Sequence, residues 1–152
     1  MLACASEEQF DLIIQNGLVY EGILTPPQKK DIGITGDQIT ALGDLSHKGA
    51  KKIIDAKGLA VAPGFIDLHA HLEPIFELSD CESHIRQGVT TSLGGPDGRG
   101  PFPFKAYLDS LKQLGVGMNV GFLVGHNTIR REVMNLDNRP PTAEELEEMK
   151  KK

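Results

Sequence analysis

Val61-Ala62-Pro63-Gly64-Phe65-Ile66-Asp67-Leu68-His69-Ala70-His71 is the stretch on which the fold of this chain turns. Pro63-Gly64 separates two kinds of sequence, since such a pair ends regular structure. After it, Phe65-Ile66-Asp67-Leu68-His69 reads as a buried strand. Alternate residues of a strand share a face, so Asp67, His69 and His71 are expected to converge while Leu68 and Ala70 point the other way. Two imidazoles projecting together from a strand end suit one cation, and zinc is the commonest fit to nitrogen ligands. The same His-x-His pattern also occurs as two ordinary strand-end histidines.

Upstream, residues 10–62 read as short strands between turns. Phe10 to Ile14 leads into Asn16-Gly17, the favoured hairpin pair, and Leu18-Val19-Tyr20 follows. Asp31 to Thr35, a turn at Gly36-Asp37, and Gln38 to Leu42 make a second pair. Lys52 to Asp55 and Leu59 to Ala62 flank Lys57-Gly58. Six strand-like pieces in this span predict a small antiparallel β-sandwich segment. Residues 1–9 stand apart: Met1-Leu2-Ala3-Cys4-Ala5-Ser6 resembles the tail of a bacterial lipoprotein signal, but lacks the basic and apolar regions that precede one. It reads either as that remnant or as a ragged terminus, leaving cytoplasm and cell envelope both open.

Downstream, the rhythm is strand, helix, strand, helix, strand, helix, as in a parallel α/β unit. A helical segment over 79–87 precedes Val89-Thr90-Thr91-Ser92-Leu93. Phe104, Tyr107, Leu108, Leu111 and Leu114 recur at helical spacing, so an amphipathic helix is expected over 103–114. Met118 to Val124 reads as a strand covered on both faces. Thr142 with Glu145 is a capping-box signature for a last helix, 143–152.

The chain has 152 residues with 16 Lys+Arg, 21 Asp+Glu and a formal net charge of −5. That suits about one domain, and is short of the roughly 250 residues of a complete eight-fold α/β barrel. The acidic balance argues against nucleic-acid binding, which relies on clustered positive charge. Two cysteines, Cys4 and Cys81, do not make a disulfide framework. No apolar run reaches the ~20 residues that span a bilayer. Cys81 is expected to pack rather than react, and His47 and His84 to lie on the surface. Glu73 follows the His pair closely enough to orient it.

At residues 61–71 the sequence resembles the amidohydrolase superfamily of metal-dependent hydrolases, in which Pro-Gly-Phe-Ile-Asp-x-His-x-His ends the first barrel strand and supplies two metal ligands. Asp11 to Gly17 is similar to that family's N-terminal β-segment. Gly88-Val89-Thr90-Thr91, and Val124 to Arg130, are similar to strands of its N-acyl-D-amino-acid deacylase (D-aminoacylase) group. The resemblance implies an α/β fold: a β-sandwich segment over 10–62, and over 63–152 the first strand–helix units of a TIM-like (β/α)8 barrel. It also implies hydrolysis of a non-peptide C–N (amide) bond in a small N-acyl amino acid, with one or two divalent cations, zinc foremost.

In the D-aminoacylase group the second strand ends in Asn-Cys-Gly, whose Cys ligates metal. Here Asp97 stands at that place, a carboxylate that suits zinc and favours harder cations more than a thiolate does. Gly94 to Gly100 could equally be a plain turn with a surface Asp. The metal ligands implied are thus His69, His71 and Asp97, with His126, Asn127 and Arg130 as substrate-binding candidates. Arg130 suits a substrate carboxylate through bidentate hydrogen bonds, though Arg130-Arg131 also reads as a solvated helix start. The family's further His ligands and general base come from later strands. The chain is therefore expected to be the N-terminal portion of a longer enzyme, inactive alone, with its base beyond residue 152. A cyclic-amide hydrolase of the dihydropyrimidinase or dihydroorotase kind is an alternative, disfavoured because no Lys occupies a strand-end position. A non-catalytic binding module with a remnant metal site is another.

Overall fold

A computed structural model of the chain describes residues 8–135 and 137–152, with backbone alone at Glu8 and Gln9. The stretch containing Cys4 lies outside the described residues. The chain divides between Pro63 and Gly64 into two units.

The first unit is a five-stranded mixed sheet. Strand β1 (Glu8–Val19) is its spine. On one edge it pairs antiparallel with β2 (Gln28–Thr35), which turns at Gly36-Asp37 into antiparallel β3 (Gln38–Gly43). On the other edge it pairs with β4 (Gly49–Asp55) and then β5 (Ala60–Val61), both parallel to it. Ile13, fully buried, anchors the unit's core with Ile32 and Val19.

This unit departs from expectation in two respects. The sheet is not purely antiparallel, because β4 and β5 run alongside β1 in its own direction. Nor is Asn16-Gly17 a hairpin turn: β1 passes through it, carrying one extra residue against β2. Such a bulge tolerates a left-handed residue, and Asn16 adopts φ 62°. The bulge is stapled from both sides. The Asn16 amide donates to Asp31 Oδ1 (2.8 Å), and Asn16 Nδ2 to Asp55 Oδ1 (2.9 Å). Gly17 is needed because a Cβ there would lie 2.6 Å from Val61 Cγ2.

The second unit is a three-stranded parallel sheet, β6 (Phe65–Ala70), β7 (Val89–Gly94) and β8 (Asn119–Phe122), in that order. Parallel neighbours require crossovers. The first contains a 3-10 turn (Glu73–Phe76) and the short α1 (Glu82–Ile85), so the helix expected over 79–87 is a single turn. The second is α2 (Phe104–Leu114), ended by Gly115 at φ 75°, whose amide donates to the Leu111 carbonyl. After β8 come α3 (His126–Met134) and α4 (Ala143–Lys151). The expected capping box is present: the Glu145 amide donates to Thr142 Oγ1 and the Thr142 amide to Glu145 Oε2. No described helix is long and apolar enough to cross a membrane.

The core of this unit joins Ala70, Leu72, Ile75, Cys81, Leu111 and Met118. Tyr107 stacks edge-on against Phe76 and Phe122, at 5.2 Å in each case. Cys81 is buried, as its residue type favours. The strand read as buried is not: Phe65, Ile66 and Leu68 are more than half exposed. β6 is an edge strand, paired only to β7 among the described residues, so one side lacks cover. His84 is half-buried rather than on the surface, and lines a cavity of about 300 Å³ with His71 and Met118.

Candidate metal centre

β6 and β7 run parallel, so their C-terminal ends lie side by side, with Ala70 opposite Gly94. His69 is on β6, His71 follows its last residue, and Asp97 lies three residues past β7. His69 Nε2 is 3.5 Å and His71 Nε2 3.2 Å from Asp97 Oδ2. The three residues each offer one donor atom, all within 4.8 Å of one another. Ligands about 2.0–2.2 Å from a tetrahedral cation sit roughly 3.3–3.6 Å apart, so the two His–Asp spacings fit one small divalent ion. The three side chains are 57–64% exposed, which makes the centre an open one. At that exposure the His–Asp contacts contribute little as ion pairs, and the arrangement owes its geometry to the strand ends.

Asp67, expected to converge with the histidines, is turned elsewhere: its Oδ1 accepts from the His69 amide at 2.9 Å. Glu73 does face the cluster, with Oε1 3.4 Å from His71 Nδ1. A carboxylate on the far nitrogen of a ligating imidazole orients the ring and selects its tautomer. Glu73's own backbone amide, with His71, holds its carboxyl below the ordinary value.

Asp97 is carried on a loop, 94–100, that is fastened to the start of α3. The Asn127 amide donates to the Gly98 carbonyl (2.9 Å), as does the Thr128 amide at 3.4 Å. These are first-turn amides that a helix leaves without internal partners. Thr128 Oγ1 accepts from the Gly100 amide (3.1 Å) and donates to the Gly100 carbonyl (3.0 Å). Gly98, at φ 76°, makes the turn, and Gly125 lets the loop and helix backbones meet where a Cβ would strike Gly98 and Gly100. Sequence reasoning missed Thr128: its role depends on which loop folds over it, and no local pattern encodes that.

His71, Glu73, Asp97, Arg99 and Asn127 line one cleft of about 430 Å³. Asn127 is thus brought to the candidate ligands. His126 opens α3, exposed, and its side chain makes no hydrogen bond or ion pair among the described residues. Arg130 is not at the cleft as expected but braces the connection to α4. It is half-buried, and its Nη2 donates to the carbonyls of Asp137 (2.7 Å) and Arg139 (2.6 Å).

Residues 52–147 match the profile of the amidohydrolase family. The chain belongs to that family. It is 35% identical to a D-aminoacylase of Alcaligenes xylosoxydans xylosoxydans, in a match covering 96% of this chain and 35% of the relative. It is 33% identical to an N-acyl-D-glutamate deacylase of the same organism, covering 95% and 34%. Among solved structures, the N-acyl-D-glutamate deacylase from Bordetella bronchiseptica, complexed with zinc and a phosphonate inhibitor, superposes with a TM-score of 0.87 at 31% identity, over 95% of this chain and 35% of that one. The fold class is accordingly α/β, strand–helix units of a TIM-like barrel preceded by a β-sheet segment. The chain spans about a third of the length of these relatives.

Proposed function

We propose that the protein serves a metal-dependent amidohydrolase that removes the acyl group from N-acyl-D-amino acids, with His69, His71 and Asp97 holding a divalent cation, zinc foremost. The observation that carries this is the meeting of those three donors at the ends of β6 and β7, at spacings one small cation accepts. The relatives, named as deacylases of N-acyl-D-amino acids, supply the substrate class. A cation bound there would bring the pKa of a bound water towards about 7 and polarise the acyl carbonyl. The chain's own contribution is to place the donors. β6 sets His69 and His71 two residues apart, Glu73 orients the His71 ring, and the loop fastened by Thr128 presents Asp97. The cleft over them admits a small-molecule substrate.

Zinc binding by calorimetry tests the centre. The wild-type chain should bind zinc, with affinity lost when His69→Ala and His71→Ala are combined and weakened by Asp97→Ala. Equal zinc affinity in wild type and the double variant would overturn the assignment.

A further inference from the structure

Five arginines occur in the chain, and three are engaged. Arg86 pairs with Glu82, Arg139 with Glu145, and Arg130 with two carbonyls. Arg99 and Arg131 have no hydrogen-bond or ion-pair partner for their guanidinium groups among the described residues, in a chain with a surplus of carboxylates. Both line the same cavity, of about 410 Å³. A small ligand seated in that cavity therefore meets both residues. The cavity adjoins the cleft of the candidate metal ligands, since Glu73, Gly95 and Arg99 line both. Glu73 makes no ion pair with either arginine, and its carboxylate lies 3.4 Å from His71 Nδ1.

We propose that Arg99 and Arg131 form a carboxylate subsite, which takes the free carboxylate of an acylated amino acid while its amide lies against His69, His71 and Asp97. The proposal rests on the deacylase reading above and adds the group that recognises the substrate's charge. Guanidinium suits this role because it is always protonated, presents parallel N–H donors to a planar carboxylate, and sheds water more readily than an ammonium group. Tyr107 and Phe122 supply an aromatic wall for the rest of the ligand. Burial, with Glu73 and Glu77 nearby, pushes the Tyr107 phenol up, so it remains a neutral donor at physiological pH. The helix N-terminus of α3 is not the anion site, because Gly98 already accepts from its first-turn amides.

The test is a calorimetric or NMR titration of the zinc-loaded chain with an N-acetyl amino acid and, separately, with its neutral carboxamide. The acid should bind about tenfold more tightly than the amide, as a charge-assisted bidentate contact warrants. Combining Arg99→Gln with Arg131→Gln should abolish that preference. Both side chains are exposed, and circular dichroism checks that the variant is folded. A wild-type chain that binds acid and amide equally, or neither, overturns the proposal, as does a preference that survives in the double variant. Zinc affinity indifferent to His69 and His71, with an arginine-dependent preference intact, would sink the metal assignment and leave the subsite standing.

Discussion

Replacing Thr128 by Val separates the fastening of the 94–100 loop from the ligand it carries. Valine keeps the shape of threonine and removes its hydroxyl, so the Gly100 amide and carbonyl both lose a partner. At about 0.5–1.5 kcal/mol net for each hydrogen bond, the closed loop is weakened by about 1–3 kcal/mol. Hydrogen exchange at the Asn127 amide, which is bonded to Gly98, reads this directly and should accelerate by up to about 5- to 160-fold if local opening governs it. Apparent zinc affinity falls only as far as the closed population falls. The affinity loss therefore cannot exceed the about 5- to 160-fold that 1–3 kcal/mol corresponds to, and it is smaller the more the closed loop is favoured at the outset. The decisive measurement is the double-mutant cycle with Asp97→Ala. If Thr128 acts by presenting Asp97, Thr128→Val should cost almost no zinc affinity once Asp97 is gone. An equal loss in both backgrounds, or unaltered exchange and affinity in the single variant, would rule out that role for Thr128.

Two further outcomes concern the scaffold. Asp31 is buried and its two oxygens accept from the Asn16 amide (2.8 Å) and the Leu45 amide (2.9 Å); Asp31→Ala orphans both donors and should cost about 2–4 kcal/mol in urea unfolding followed by amide exchange of the first unit, against under about 0.5 kcal/mol if the pairing is incidental. Glu145, gripped by both terminal nitrogens of Arg139 and by the Thr142 amide, has its carboxyl pushed down to about 2 from 4.5. Its folded value is depressed, so its support of α4 is complete above pH 4.5 and lost as pH falls towards 2. A Glu145 carboxyl midpoint near 4.5 by NMR would contradict this, and Glu145→Gln should remove the pH dependence.

Local chemistry made much of the second unit legible in the sequence. The 2-residue spacing of His69 and His71 needs only strand geometry, and the Thr142/Glu145 cap needs only a helix start. The helix around Leu111 follows from apolar residues at helical spacing. Where expectation and structure part, the deciding partner lies far along the chain. Asn16-Gly17 has the local preference of a hairpin turn, but Asp31 and Asp55 hold it as a bulge inside β1. Phe65 to His69 has the composition of a buried strand, yet burial depends on neighbours and, among the described residues, β6 is paired on one edge alone.

Donor chemistry and strand periodicity are properties of a short segment, so the amino-acid order was enough to name the residues suited to bind metal. It was not enough to show that Asp97 meets His69 and His71, that Thr128 fastens the Asp97 loop, that Arg130 is occupied by carbonyls, or that Arg99 and Arg131 line one cavity. Those facts depend on parallel pairing of β6 with β7 and on the seating of α3 against a glycine-rich loop. Both are packing choices between segments about 25–30 residues apart, made by tertiary hydrogen bonds and close backbone approach rather than by local propensity.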